Sequence, residues 1–166
     1  MKTNPEMKKQ INQKTSMPMF AVLACAILLI VSMFLPYLTA FDELKEMLEQ
    51  VDQATLSLRD FFALLLEDSS AATTVVGIVT GLSVFAALFA VLRMPIGAMI
   101  FDILATAVTV LLHFAFTTDD VLAYYTFGIG HTLMFVACAG LLVGTIWMMV
   151  TKSQAKKSIA VANSEN

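Results

Sequence analysis

Four long apolar runs constrain this chain more than any other feature of its sequence. They cover residues 17–38, 71–92, 96–116 and 121–150. A helix rising about 1.5 Å per residue needs roughly 20 apolar residues to cross a hydrocarbon layer about 30 Å thick. Lipid offers no hydrogen-bond partners, so a run that crosses it must be helical or belong to a closed barrel. The runs predict an all-α integral membrane protein, a four-helix bundle with spans at 17–38, 71–92, 96–116 and 127–150.

The composition excludes other classes of protein. Apolar residues make up 58% of the 166 residues and charged residues 14%, with a mean hydropathy of +0.80. Soluble domains are about half apolar and about a quarter charged, and disordered chains are poorer still in apolar residues. Two cysteines cannot form the framework of a disulfide-rich domain. The remaining class is a membrane protein, whose first partner is the lipid bilayer.

The distribution of charge predicts the orientation. Eight of the ten basic residues lie in the tails 1–16 and 151–166 or in the turn 93–95, and ten of the thirteen acidic residues lie in the loops 39–70 and 117–126. Lys- and Arg-rich flanks stay in the cytoplasm. We therefore expect both termini inside, in the plasma membrane of a bacterium. A cleaved signal peptide at the first run is the alternative, although its 22 residues exceed the usual core of about 7–15.

The loop 39–70 carries a helical pattern. Seven apolar side chains and one threonine are spaced alternately three and four residues apart: Phe41, Leu44, Leu48, Val51, Thr55, Leu58, Phe62 and Leu65. Ser57 followed by Asp60 resembles a capping box that would start a second helix at Leu58, and Thr39 with Asp42 offers the same to a first helix. We predict an extra-cytoplasmic amphipathic loop of two short helices. Its apolar face either binds a protein partner or lies on lipid or on the top of the bundle.

The third span contains a polar stripe. Asp102, Thr106, Thr109 and His113 follow one another at offsets of 4, 7 and 11 residues, which places them on one helix face. An intramembrane acid is expensive and indicates a functional site by default. The stripe is therefore a proton or cation path, or else Asp102 is a neutral acid that holds the bundle together through a hydrogen bond to Ser83 or Thr145.

Two further groups of residues stand out. Gly77 with Gly81, and Gly140 with Gly144, are GxxxG patterns that predict either close packing inside the bundle or a subunit interface. His131, Asp119 and Asp120 form an expected outer polar cluster near His113. Their spacing matches no metal motif, and we expect no metal, no cofactor and no nucleic-acid partner.

Two functions are compatible with these features. The favoured one is a non-enzymatic accessory or scaffold subunit that binds another membrane protein or a second copy of itself. The alternative is an oligomeric channel or a small proton- or cation-linked transporter that uses the polar stripe. A lipid-handling enzyme with Asp102 or His131 as base is a third and weaker hypothesis, since no catalytic motif is present.

Overall fold

A computed structural model describes residues 5–50, 53–65, 69–116 and 119–164. Four long helices, three short ones and three short strands make up the described chain. In chain order they are α1 Pro5–Ser32, β1 Pro36–Ala40, α2 Asp42–Glu49, β2 Thr55–Ser57, α3 Leu58–Leu65, α4 Ser69–Val91, α5 Pro95–Phe116, α6 Asp119–Leu122, β3 Tyr125–Phe127 and α7 Ile129–Ser164.

Three of the long helices are long and apolar enough to cross a membrane. Their apolar segments are Ala72–Val91 in α4, Pro95–Phe114 in α5 and Ile129–Ser158 in α7. The apolar part of α1 is shorter, Ser16–Ser32. The protein is therefore a mostly helical chain of membrane-protein type.

The four long helices pack in a ring, in which α1 contacts α7 and α4, and α5 contacts the same two helices. The antiparallel helices α1 and α7 approach each other closely. A Cβ atom placed on Gly140 would lie 2.5 Å from Cys25 Sγ, and one on Gly144 would lie 2.9 Å from Val22 Cγ2. These glycines let the two backbones meet, as small residues do between membrane helices.

A three-residue turn connects α4 to α5. Arg93 has a φ of 56°, the left-handed conformation that commonly ends a helix. Its N–H donates to the Ala90 carbonyl at 3.0 Å, and the Met94 N–H donates to the Phe89 carbonyl at 2.9 Å. This Schellman pattern satisfies the last carbonyls of α4 and reverses the chain for an antiparallel pair. We call this end of the bundle the turn end.

The opposite end, which we call the sheet end, carries a three-stranded antiparallel sheet. β1 lies between β2 and β3, with Leu38 opposite Leu56 on one side and Phe127 on the other. The sequence did not predict this sheet, because its outer strands are short, the first part of β1 lies inside one apolar run and β3 lies inside another. Here the predicted spans are corrected: α1 ends at Ser32, not residue 38, and α7 begins at Ile129, after β3. Pro36 supplies the reason, since it lacks an N–H and disfavours helix in the residue before it.

The loop between α1 and α4 holds the two predicted short helices. The second starts at Leu58, where the Asp60 N–H donates to Ser57 Oγ at 3.2 Å and Ser57 Oγ donates to Asp60 Oδ2 at 2.6 Å. The predicted cap from Thr39 and Asp42 is wrong, because Thr39 is paired within the sheet and Phe41 precedes α2 without a side-chain cap. Val51 and the side chain of Leu65 lie outside the described residues.

The two short helices differ in their burial. Phe61 and Phe62 of α3 are buried against the sheet end of the bundle. None of the eight residues of α2, all of them described, is buried. The apolar face expected along the whole loop is therefore divided between the two helices. α3 belongs to the core, whereas α2 lies outside the core.

Both ends of the chain are more helical than the polar tails suggested. α1 begins at Pro5, so Pro18 lies inside the helix rather than in its first turn. α7 continues to Ser164, beyond the predicted end of the fourth span.

Candidate functional site

The polar stripe lies on the face of α5 that is turned into the bundle. Asp102 and Thr109 are buried, with 0% and 2% of their surface exposed, and Thr106 and His113 are half-buried. Apolar neighbours on the same helix, among them Ile103 and Leu111, are exposed. The amphipathic pattern of α5 is therefore inverted relative to a soluble helix: polar side chains lie inside and apolar ones outside.

Five buried side-chain polar atoms in the described residues have no hydrogen-bond partner in the protein. They are both carboxyl oxygens of Asp102, the hydroxyls of Thr106 and Thr109, and Nε2 of His131. Folded proteins pair nearly all such atoms, so each exception requires an explanation. Four of the five atoms belong to the polar stripe, and the fifth lies at the end of it.

His131 of α7 extends the stripe. Its ring centroid lies 5.0 Å from that of His113. We refer to Asp102, Thr106, Thr109, His113 and His131 together as the polar file. The file begins about 10 Å from the start of α5, seven residues after Pro95, and reaches the sheet end of the bundle.

The neighbours of Asp102 are hydroxyl and thiol groups. The Thr145 side chain of α7 lies beside the Asp102 carboxyl, but its hydroxyl donates to the carbonyls of Leu141 and Leu142 at 2.9 and 3.0 Å. Ser83 is also buried, and its hydroxyl donates to the Val79 carbonyl at 2.8 Å. Both hydroxyls donate to carbonyls of their own helices, so a hydrogen bond between either of them and Asp102 requires the neutral acid as the donor.

Farther along the file, Cys138 of α7 lies beside Thr106 and Thr109. No spacing in the sequence associates this cysteine with the stripe. Its small, weakly polar thiol faces two hydroxyls that have no stronger partner within the described protein. The α5–α7 interface is therefore lined with polar groups from Asp102 to His113.

An aromatic cluster surrounds the two histidines. The rings of Phe127 and His131 stack with centroids 4.0 Å apart, and Phe135 lies 5.3 Å from His113 and 4.9 Å from His131. The Tyr37 hydroxyl is 3.1 Å from Nδ1 of His113. Aromatic rings thus enclose the imidazoles and leave them few polar contacts.

Tyr37 closes the polar file at the sheet end, a role that the sequence did not reveal. A tyrosine at the end of an apolar run is typical of a membrane interface, but only 2% of Tyr37 is exposed. The pairing of β1 with β2 shifts register between Pro36 and Leu38, and such a bulge re-aims the side chain at its centre. Tyr37 consequently reaches His113, and its ring packs 6.1 Å from that of Phe61.

The two glycine pairs have different surroundings. Gly140 and Gly144 are in close contact with α1, as described above. A Cβ atom on Gly77 or Gly81 would meet nothing within 4 Å among the described residues. Among the described residues nothing packs closely on the pair on α4, so of the two alternatives a subunit interface stays a prediction for this pair.

The outer polar cluster is described only in part. Asp119 and Asp120 start the short helix α6, but their side chains lie outside the described residues. His131 contacts aromatic rings and His113. Within the described chain, no three His, Cys, Asp or Glu side chains converge as a metal site would require.

Comparison of the chain with known protein families, with characterised proteins and with solved structures finds no match. The case for a function therefore depends on the geometry of the site itself.

Proposed function

We propose that this chain is a small proton-conducting membrane protein in which the polar file carries protons between Asp102 and the sheet end. The observation that supports the proposal is the alignment of the five unpartnered buried atoms along one interface, between α5 and α7. Scattered unpaired groups would suggest local strain. A continuous line of them supports a row of water molecules, since water is the usual partner of such groups.

The spacing of the polar file suits water bridges. Successive members on α5 are four, three and four residues apart, which is about 6, 4.5 and 6 Å along the axis. One water molecule that bonds at about 2.8 Å on each side bridges groups up to about 5.6 Å apart. Direct hydrogen bonds would not cover these steps. One water covers the step of about 4.5 Å, and each step of about 6 Å takes two waters or side chains that lean toward each other.

The chemistry of the file suits protons better than metal cations. Aspartate and histidine both exchange protons in water at accessible pH, and hydroxyl groups both donate and accept hydrogen bonds. A charged carboxylate at this depth costs about 2.5–3.5 kcal/mol on insertion scales. In this proposal Asp102 rests as the neutral acid, releases its proton toward Thr106, and His113 and His131 pass it on beneath Tyr37.

The same proposal includes the arrangement in the membrane. The helices α1, α4, α5 and α7 all cross, the turn end and both termini face the cytoplasm of a bacterium, and the sheet end faces outward. Two observations support a fourth span. Cys25 and Val22 of α1 pack on Gly140 and Gly144, which lie near the middle of the apolar segment of α7, and the basic residues gather at the turn end.

Proton flux into liposomes tests the function. The purified chain is reconstituted, a potassium diffusion potential is applied, and a trapped dye reports internal pH. We expect flux well above that of empty liposomes, and we expect Asp102→Asn to reduce it at least tenfold. Asp42→Asn, which alters an exposed acid on α2, is the matched control and should conduct like the wild type.

A second measurement separates conduction from packing. If Asp102 were only structural, Asp102→Asn would change stability and there would be no wild-type flux to lose. Thr109→Val keeps the side-chain shape and removes the hydroxyl, so it should reduce flux without lowering the unfolding temperature. Wild-type flux no faster than that of empty liposomes, or equal flux in wild type and Asp102→Asn, would overturn the proposal.

An accessory role is the second candidate, and α2 is the observation that favours it. This helix has no buried residue, and Phe41 and Met47 are 42% and 67% exposed on its side of the sheet end. A photo-reactive amino acid at Met47 should cross-link a partner in native membranes. The same probe at Lys45, on the opposite side of α2, is the control; equal labelling from both positions, or none from Met47, would remove this candidate.

A further inference from the structure

A cavity opens between α5 and α7 at the turn end, away from the polar file. Its volume is about 630 Å³, within the usual range for ligand pockets of about 300–1,000 Å³. One part is apolar, lined by Ile96, Ile100 and Met149, and the other contains Lys152 and Lys156. No acidic side chain is among its lining residues, so the pocket joins a positive rim to an apolar wall.

The positive rim is built from two helices. Lys152 Nζ donates to the Arg93 carbonyl at 2.8 Å, and this bond holds the ammonium group at the mouth of the cavity. An ammonium group has three N–H donors, so it can also donate to a bound anion. Ile96 and Gly97 lie in the first turn of α5, where amide N–H groups have no carbonyl partner within the helix. Oriented amides and a helix dipole favour an anion at such a position.

The apolar wall continues the membrane-facing surface of α5. Ile96 is 67% exposed and Ile100 53%, one helical turn apart along the groove. Both belong to the apolar segment Pro95–Phe114. A ligand that fits both halves is therefore amphiphilic, with a phosphate at the rim and a hydrocarbon chain along the helix.

We propose that this cavity is a binding site for an anionic phospholipid of the cytoplasmic leaflet. Its phosphate lies between Lys152, Lys156 and the first turn of α5, and one acyl chain lies along Ile96, Ile100 and Met149. The net negative charge of the lipid complements the two lysines, and basic pockets between spans on the cytoplasmic side suit such headgroups. A free phosphate would satisfy the rim but leave the apolar wall without a partner.

Lipid titration followed by native mass spectrometry tests the site on the full chain in detergent. Phosphatidylglycerol is the probe, phosphatidylcholine is the zwitterionic comparison, and inorganic phosphate is the soluble competitor. We expect tighter binding of phosphatidylglycerol than of phosphatidylcholine and no displacement by millimolar phosphate. Equal binding of the two lipids would overturn the proposal, and displacement by phosphate would assign the rim to a soluble anion instead.

Adjacent lysines provide the matched variants. Lys156→Gln should weaken phosphatidylglycerol binding about five-fold, the effect of one lysine near an anionic surface, and Lys152→Gln should act similarly. Lys157→Gln removes the same charge from a neighbour that does not line the cavity and should have less than a two-fold effect. Equal losses in Lys156→Gln and Lys157→Gln would mean general attraction to a charged surface and no site.

The apolar half is tested separately. Ile100→Trp fills the groove, whereas Ile103→Trp adds the same bulk to an exposed position one turn along α5 outside the cavity. Only Ile100→Trp should reduce phosphatidylglycerol binding. Equal binding by the two tryptophan variants would show that no chain occupies the groove. Unfolding temperatures of the other four variants should match the wild type, since those positions are exposed. Lys152→Gln also loses the hydrogen bond to the Arg93 carbonyl.

Discussion

The contact between the start of α7 and the end of α1 leads to a sharp prediction about stability. A Cβ atom on Gly130 would lie 2.7 Å from the Leu35 carbonyl oxygen, 2.8 Å from that of Ser32 and 2.9 Å from that of Pro36. All three are backbone atoms, so no side-chain rotation can relieve the contact. Gly130→Ala must instead move α7 away from the corner between α1 and β1.

The magnitude follows from two opposite effects. Overpacking of a well-packed site costs about 1–3 kcal/mol, and Gly130, the second residue of α7, gains little from better helix propensity. Gly77→Ala is the comparison, because it meets nothing within 4 Å in the described structure and gains about 0.5–1 kcal/mol from propensity alone. The two variants should therefore differ by about 1.5–4 kcal/mol in free energy of unfolding, the sum of these ranges.

Equilibrium unfolding of the detergent-solubilised chain measures this difference. Trp147 is the single tryptophan and provides the fluorescence signal. Both substitutions add one methyl group to a helical glycine, so they differ only in what the methyl group meets. If Gly130→Ala is as stable as Gly77→Ala, the close approach of α7 to the α1–β1 corner is not as described.

Three further outcomes are expected from the same unfolding measurement. Tyr37→Phe removes the hydrogen bond to His113 and should destabilise the chain by about 0.5–1.5 kcal/mol; a neutral result would mean that this contact contributes nothing. Ser57→Ala removes the cap of α3 and should cost about 1 kcal/mol, more than Thr55→Ala in the exposed part of β2. Burial raises the pKa of Tyr125 above its ordinary value of 10.0, so the unfolded chain ionises first and stability should fall as pH rises above about 10. Tyr125→Phe should flatten this fall, and an unchanged pH dependence would refute the assignment.

The sequence predicted the long helices well where nothing interrupts the apolar pattern. The spans expected at 71–92 and 96–116 correspond to helices at Ser69–Val91 and Pro95–Phe116. The length and the two ends of each apolar run predict where these helices begin and end, because a lipid-spanning segment must be both apolar and helical. The capping pair Ser57 and Asp60 located the start of α3 for a similarly local reason.

The sheet and the closure of the polar file could not be predicted in the same way. Tyr37–Leu38–Thr39 and Tyr125–Thr126–Phe127 are rich in residues typical of strands. The predicted spans took in Tyr37, Leu38 and Phe127, and the predicted loops took in the other three residues. Strand pairing joins residues nearly 90 positions apart, and nothing local specifies it. The contact of Tyr37 with His113 depends on that pairing and therefore could not be predicted from the sequence. The polar stripe could be predicted, because it follows from offsets within one helix.

The central position of β1 has a consequence for how the protein is made. Its partners are synthesised later: β2 follows α2, and β3 appears only after α4, α5 and α6 have left the ribosome. Until then, one edge of β1 keeps N–H and C=O groups that only β3 can pair. The three-stranded sheet can therefore be completed only after α4, α5 and α6 have been made, just before α7. A nascent chain that stops before Tyr125 therefore exposes an open strand edge, the type of surface that favours aberrant association.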